Sequence, residues 1–169
     1  MLRTASILAL LTVALCGCAG YRIGPSSYQS AGAKSVQVVP FINRSPEPGL
    51  ADEVTSALRK SIQRDGTLHL ETHDGADLVL TGALVEYGRR EISLVSTDVR
   101  TVSDYLIRLK ATVTVKERAT GRVVLEKSVV GNALVRVGSD FSASERQAVP
   151  LLAQDLARQI TDLLVDGSW

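Results

Sequence analysis

The sequence has few aromatic residues, almost no net charge and only two cysteines, and each shortage argues against a class of protein. Aromatic residues make up 4% of the 169 residues, too few for the stacking platforms that bind single-stranded nucleic acid. The 19 basic and 18 acidic residues leave a net charge of +1, so no strong attraction to nucleic acid is expected. Hydrophobic residues account for 45% of the chain, which is enough for the core of one domain.

The sequence also lacks the patterns of common catalytic and metal sites. It has no nucleophile elbow, and the glycines of the stretch 17–24 do not form a phosphate-binding loop. His69 and His73 lie near Glu71 and Asp74, but no further ligands are patterned elsewhere, so surface histidines are a better interpretation than a metal site. We therefore expect no enzyme activity, no catalytic residue, no metal and no cofactor.

One uncharged stretch, ASILALLTVAL, lies close to the N-terminus and follows a short positive start at Arg3. It is too short to span a bilayer comfortably, since a spanning helix needs about 20 apolar residues. Small residues follow at Gly17 and Ala19. This order predicts a secretory signal peptide. A short membrane anchor that is left in place is the alternative.

Both cysteines belong to the segment Leu15-Cys16-Gly17-Cys18, which fits a bacterial lipobox. Such a motif has an apolar residue three positions before the modified cysteine and a small residue immediately before it. Cys18 meets this requirement, whereas Cys16 follows a leucine and fails it. We expect residues 1–17 to be a lipoprotein signal peptide and Cys18 to be the lipidated residue. A lipidated cysteine with no second cysteine in the mature chain excludes a disulfide or a metal clip.

The lipid on Cys18 predicts where the protein is located. Stable anchoring takes two or more acyl chains, as a diacylated or triacylated cysteine carrying palmitate supplies. Ala19 follows the cysteine, where an Asp would favour retention in the inner membrane in similar bacterial systems. We therefore expect the periplasmic side of the cell outer membrane. The Gly-, Ser- and Ala-rich stretch 18–34 is predicted to be a lipidated tether.

Hydrophobic periodicity predicts a single domain over residues 35–169. Gly82 and Gly88 are possible bulge or bend sites, and 92–102 is expected to contain a turn or a disordered tip. The fold class that follows is α+β: a two-layer sandwich in which an about four-stranded mixed or antiparallel sheet is covered on one face by two helices. Strands are predicted at 35–42, 67–72, 76–91, 104–117 and 122–137, and helices at 50–64 and 142–164.

Two of these elements carry more detailed predictions. Within 104–117, apolar and polar residues alternate, so one face of this strand is dry and the other is wet. In the second helix, Ser142 and Glu145 are spaced as a capping box. Pro150 interrupts the apolar stripe of that helix, which predicts that the helix starts or kinks there.

Basic residues gather on the predicted middle strands and form the candidate binding site. One interpretation is a solvated sheet face. The other is a site for an anionic ligand such as a phosphorylated glycolipid, because Arg and Lys pair with phosphates. A wide polar sheet face could also sit inside a larger protein. The candidates are Arg89, Arg90, Arg100, Arg108 and Lys110, with Arg122 and Arg136 nearby in topology.

Several segments, taken in order, resemble the lipopolysaccharide-assembly lipoprotein family LptE. They are GYRIG after the lipobox, VPFINRS, ADLVLTGALVEY, YLIRLKATVTVKERATGRVVLEK and ERQAVPLLAQDLARQITDLL. The resemblance covers essentially the whole mature chain. It implies a non-catalytic Gram-negative outer-membrane lipoprotein that plugs the β-barrel LptD, assists its assembly and helps to place lipopolysaccharide in the outer leaflet. It also implies that basic residues bind lipopolysaccharide, and the five candidates above are chosen for this role by their location.

A second resemblance supplies an alternative. The strand VVPFINRS followed by a helix is also similar to the α/β domains of the CsgG, amino-terminal TolB and LpoB type. Those domains imply an envelope scaffold or an activator of peptidoglycan synthases. The long hairpin TVSDYLIRLKATVTVKERATGRVV favours the first resemblance over this one.

Overall fold

A computed structural model describes residues 34–95, 98–136 and 140–166, with side chains outside 93–103. The order of strands and helices confirms the α+β class. The predicted signal peptide 1–17, Cys18 and nearly all of the tether 18–34 lie outside the described residues. The elements are β1 (Ser35–Val38), β2 (Ile42–Asn43), α1 (Leu50–Asp65), β3 (His69–Glu71), β4 (Leu78–Val95), β5 (Asp98–Glu117), β6 (Val123–Arg136) and α2 (Phe141–Val165).

The strands form one mixed sheet in the order β3-β1-β4-β5-β6, and β2 also pairs with β4. β1 is parallel to β3 and β4, and β2 is parallel to β4, whereas β5 is antiparallel to both of its neighbours. The mixed sheet is confirmed, but it has six strands and not about four. One reason is that the predicted strand 35–42 is divided into β1 and β2 around Pro40, which has no backbone N–H to donate.

Both helices pack on the same face of the sheet, as predicted. Helical spacing on α1 and α2 gives each helix one apolar stripe, and the inward side chains of β5 meet these stripes. Burying this apolar surface is the main favourable contribution to folding. Core residues that are 0% exposed include Leu50, Val54 and Leu58 of α1, Ile107, Leu109 and Val115 of β5, and Leu152, Leu156 and Ile160 of α2.

β4 and β5 form a long hairpin of eighteen and twenty residues. It runs through the region 92–102, where a turn or a disordered tip was expected. The structure keeps strand up to Val95 and from Asp98 onward, so only residues 96–97 of that region fall outside the description. Pairing of Leu94 with Val102 shows that the ladder continues towards the tip.

The irregularities of β4 do not lie at its glycines. The register shifts between Leu84 and Glu86 and again beyond Glu91. A bulge at Gly82 or Gly88 is therefore wrong, whereas a bend there stays a prediction. Gly82 instead makes room for a neighbour, since a Cβ at this position would lie 2.2 Å from the ring of Phe41.

The start of α2 also differs from its prediction. The N-cap is Asp140, whose carboxylate accepts a hydrogen bond from the backbone N–H of Ala143 at 3.2 Å. The capping box of Ser142 and Glu145 is therefore wrong, as is a helix start at Pro150, which lies inside the helix. Glu145 is left available for a different contact.

Candidate functional site

The alternation of β5 places every second side chain on the side of the sheet opposite the helices. We call this surface the helix-free face: the even-numbered residues of β5 from Asp104 to Lys116 and their neighbours on β4 and β6. Among the described residues, no helix packs on it. Arg108, Lys110 and Thr112 all lie on this face, so the predicted wet face of β5 is confirmed.

Three of the predicted basic residues come together on the helix-free face. Gly88 pairs with Arg108, which puts Arg90 on the diagonal from Arg108, and Lys110 is two residues along the same strand. Such neighbours are roughly 7 Å apart. Arg90 and Arg108 are exposed and Lys110 is half-buried. Within the described part of the chain none of the three makes an ion pair, so their charges are available to a ligand.

The surface beside these cations is partly apolar. Arg108 and Lys110 line a shallow depression together with Glu86 and Val130. Leu134 pairs with Leu106 in the next row of the sheet, and Leu134 is 49% exposed. The helix-free face therefore offers positive charge and exposed hydrocarbon next to each other. Neither leucine was a candidate at the level of the sequence, because an apolar residue on an alternating strand is expected on the buried side.

Two further basic residues near the hairpin, Arg122 and Arg136, already have partners. Arg136 Nε lies 3.4 Å from Asp104 Oδ1 at the edge of the helix-free face. Arg122 contacts Glu117 at 4.0 Å at the β5–β6 turn. The side chain of Arg100 lies outside the described residues, so its predicted ligand role stays a prediction.

Arg89 points to the opposite side of the sheet from Arg90. Its Nε lies 2.5 Å from Oε1 of Glu145, and its Nη2 lies 3.0 Å from Oε2 of the same carboxylate. Glu47 adds a more distant contact at 3.9 Å. The structure therefore does not bring Arg89 together with the other candidates, and its predicted role as a ligand-binding residue stays a prediction.

Aromatic side chains surround this ion pair. The hydroxyl of Tyr87 donates to Glu145 Oε1 at 2.5 Å, and the Arg89 guanidinium lies 5.6 Å from the Tyr87 ring and 5.8 Å from the Phe141 ring. Phe141 in turn meets Tyr105 edge to face at 5.0 Å. We call Tyr87, Arg89, Tyr105, Phe141 and Glu145 the Arg89–Glu145 cluster.

Hydrogen bonds within the Arg89–Glu145 cluster keep the carboxylate of Glu145 ionised. Partial burial opposes ionisation of Glu145, but the hydrogen bonds from Arg89 and Tyr87 outweigh it and hold its pKa below the ordinary value. Burial, followed by the hydrogen bond to Glu145, raises the pKa of Tyr87. Arg89 and Glu145 therefore form a bidentate ion pair at neutral pH, which is the strong form of an ion pair.

The two histidines lie at the far edge of the sheet, and both are exposed. The Nδ1 of His73 is 3.8 Å from Oε1 of Glu71, while the backbone N–H groups of His73 and Thr72 lower the pKa of Glu71. Over residues 34–95, 98–136 and 140–166, no three His, Cys, Asp or Glu side chains are grouped as metal ligands. In the same part of the chain, no helix is both long and apolar enough to cross a membrane.

Several solved structures share this fold at low sequence identity. A hypothetical protein from Chlamydia trachomatis is 14% identical, with a TM-score of 0.59 over 79% of this chain and 96% of that one. A protein from Xanthomonas campestris is 12% identical, with a TM-score of 0.57 over 86% and 92%. A minor lipoprotein from Acinetobacter baumannii is 16% identical, with a TM-score of 0.53 over 79% and 93%. At these identities the likeness shows the fold alone.

Comparison of the sequence with family models is more specific. No curated protein matches the chain. The family model described as LptE, lipopolysaccharide-assembly, matches residues 33–164, which span every described strand and nearly all of α2. The chain belongs to the LptE family of lipopolysaccharide-assembly proteins.

Proposed function

We propose that this protein is an outer-membrane lipoprotein that plugs an LptD-type β-barrel, assists its assembly and binds lipopolysaccharide on the helix-free face. The family supports a role in lipopolysaccharide assembly. One observation supports lipopolysaccharide as the ligand: three cations lie together on a face that no described helix covers, and none has an ion-pair partner among the described residues. They are Arg90, Arg108 and Lys110.

The chemistry of that group fits a phosphorylated, acylated glycolipid. Arg and Lys form charge-assisted hydrogen bonds with phosphate oxygens, and two arginines allow bidentate contacts. Leu106 lies between Arg90 and Leu134 in one row across β4, β5 and β6. Contact of the 49% exposed Leu134 with an acyl chain would contribute about 25 cal/mol for each Å² removed from water. A purely polar anion would use only the cations.

The barrel partner is proposed from the family, and the composition of the helix-free face supports it. Thr112 and Thr114 continue the row of charged residues along β5, so this face is polar over most of its length. The interior of a large outer-membrane barrel is itself polar. The polar groups of such a face could find hydrogen-bond partners on that interior, so the domain could be enclosed there without leaving them buried and unpaired.

The membrane anchor is proposed from the lipobox. Acylation of Cys18, directly before Ala19, would hold the domain on the periplasmic side of the outer membrane through two or more acyl chains. Residues 18–34 would then connect this anchor to β1. The anchor would bring the domain close to its lipid ligand.

Charge reversal on the helix-free face tests the ligand assignment. We expect the double variant Arg108→Glu, Lys110→Glu to bind purified lipopolysaccharide at least about tenfold more weakly, because two attractive contacts become repulsive. Its stability should fall by less than about 1 kcal/mol, because the new carboxylate at position 110 would face Glu86 across the β4–β5 pair. Binding is measured by surface plasmon resonance, and folding by circular dichroism.

The matched control makes the same change of charge on α1. Lys60→Glu, Arg64→Glu alters two exposed cations of α1, away from the helix-free face, and should retain lipopolysaccharide binding. Unchanged binding by the Arg108, Lys110 variant would reject those two residues as ligands. An equal loss in both double variants would show that binding follows net charge and not this face.

A further inference from the structure

We propose that Glu145 is a positioning residue that acts through Arg89. It holds the outer part of β4, from Glu86 onward, in place and so sets the spacing between Arg90 and Arg108. The proposal rests on the proposed function, because it concerns the same helix-free face. Glu145 itself lies on the helix side of the sheet, bonded to Arg89, so it does not touch the ligand.

The outer part of β4 has little support from the sheet. Pairing with β1 and β2 ends at Leu84, and from Glu86 onward β5 is the only described strand that pairs with β4. A register shift separates these two residues, and such bulges disrupt the ladder locally. Gly88 adds a position where a Cβ would meet nothing within 4 Å. A strand with one neighbour, a bulge and an unpacked glycine is free to move unless side chains restrain it.

Glu145 supplies that restraint. Every described hydrogen bond from the outer part of β4 to α2 ends on its carboxylate: one from Tyr87 and two from Arg89. Because the helix is capped by Asp140, Glu145 is not needed at the helix terminus. The Glu145 side chain is 12% exposed, so water has limited access to its carboxylate, which strengthens the contact.

The restraint reaches the ligand surface through the backbone. Arg89 and Arg90 are consecutive and point to opposite faces, while Arg108 pairs with Gly88. Fixing the Arg89 side chain against α2 therefore fixes the Cα of Arg90 relative to β5. Without Glu145, we expect the diagonal spacing between Arg90 and Arg108 to vary, and a ligand that bridges both would bind less tightly.

Hydrogen–deuterium exchange on the full chain tests the restraint without any lipid. We expect Glu145→Ala to speed exchange of the amides of 86–92 about tenfold, since a charge-assisted pair is lost, while the amides of 78–84 change little. Lipopolysaccharide affinity should fall about threefold to tenfold. The double variant Arg89→Glu, Glu145→Arg exchanges the two residues and so restores an ion pair in the same place. It should recover much of the slow amide exchange and much of the lipopolysaccharide affinity. Asp162→Ala removes an exposed carboxylate from the same helix and should change neither.

Each result decides one part of the proposal. Exchange of 86–92 that matches the unmodified chain, or that rises equally throughout the domain, would overturn the restraint. Faster exchange with unchanged affinity would overturn the positioning role, provided that the Arg108, Lys110 double variant still loses binding. If that double variant binds normally, the proposed function fails, whereas the exchange result still decides whether Glu145 restrains β4.

Discussion

Gly131 of β6 lies in close contact with α2. A Cβ at this position would be 2.7 Å from Leu156 Cβ and 2.9 Å from the Leu156 backbone nitrogen. A backbone atom cannot move aside in the way that the end of a side chain can. The absence of a side chain at one residue therefore sets the distance between the helix layer and the sheet.

Substitution of this glycine should destabilise the domain. We expect Gly131→Ala to lower the free energy of unfolding by about 1–3 kcal/mol, because the added methyl overpacks the interface. Gly88→Ala is the matched control on β4, two strands away, where a Cβ meets nothing within 4 Å. It should change stability by less than about 0.5 kcal/mol. Urea denaturation followed by circular dichroism gives both values, and equal losses would contradict this account.

The faces of single residues were predictable only where the strand is regular. Unbroken alternation along β5 placed Arg108 and Lys110 correctly on the polar face. On β4, the shift between Leu84 and Glu86 exchanges odd and even positions, so Arg89 joins the core side and Arg90 the open side. A bulge leaves no clear mark in the sequence, and the contact between Arg89 and Glu145 joins residues far apart in the chain. The sequence therefore could not reveal the Arg89–Glu145 cluster.

Elements with a clear hydrophobic period were predicted well. The bounds of α1 follow from its apolar stripe and from Gly66, whose φ of 77° ends the helix. The start of α2 was missed because several polar residues in 140–145 could serve as the N-cap, and the choice of Asp140 depends on the path of the chain after β6. The strand count was missed because β2 is only two residues long, below what a pattern can detect.

The cap of α2 offers a test at the scale of the element. Asp140→Ala should destabilise the domain by about 1 kcal/mol, since the N–H of Ala143 loses its acceptor. Ser142→Ala alters the residue that the sequence favours as the cap and should cost clearly less. Thermal unfolding of the two variants compares them directly. A larger loss for Ser142→Ala would show that the capping box predicted from the sequence forms in solution.

At the scale of the whole molecule, the sheet divides the domain into two different surfaces. One is covered by α1 and α2 and holds the core. The other presents threonines, cations and a few exposed apolar side chains such as Leu134. Stability is therefore supplied on one side, which leaves the composition of the helix-free face free to serve a ligand or a partner.

The proposed setting of this domain joins three components: a lipid anchor, a barrel and a lipopolysaccharide ligand. Membership of the LptE family supports the process, the lipobox supports the anchor, and the helix-free face supports the ligand. The barrel is the component that distinguishes this function from the CsgG, TolB and LpoB type, since those domains serve as scaffolds or synthase activators. The identity of the partner is thus the central claim.

Affinity purification of the tagged chain from detergent-solubilised outer membranes, followed by mass spectrometry, tests that claim most directly. We predict that a large outer-membrane β-barrel of LptD type co-purifies in comparable amount, and that the N-terminal peptide of the chain begins at an acylated Cys18. Recovery of a peptidoglycan synthase without a barrel, or a mature chain with a free thiol at Cys18, would contradict the account.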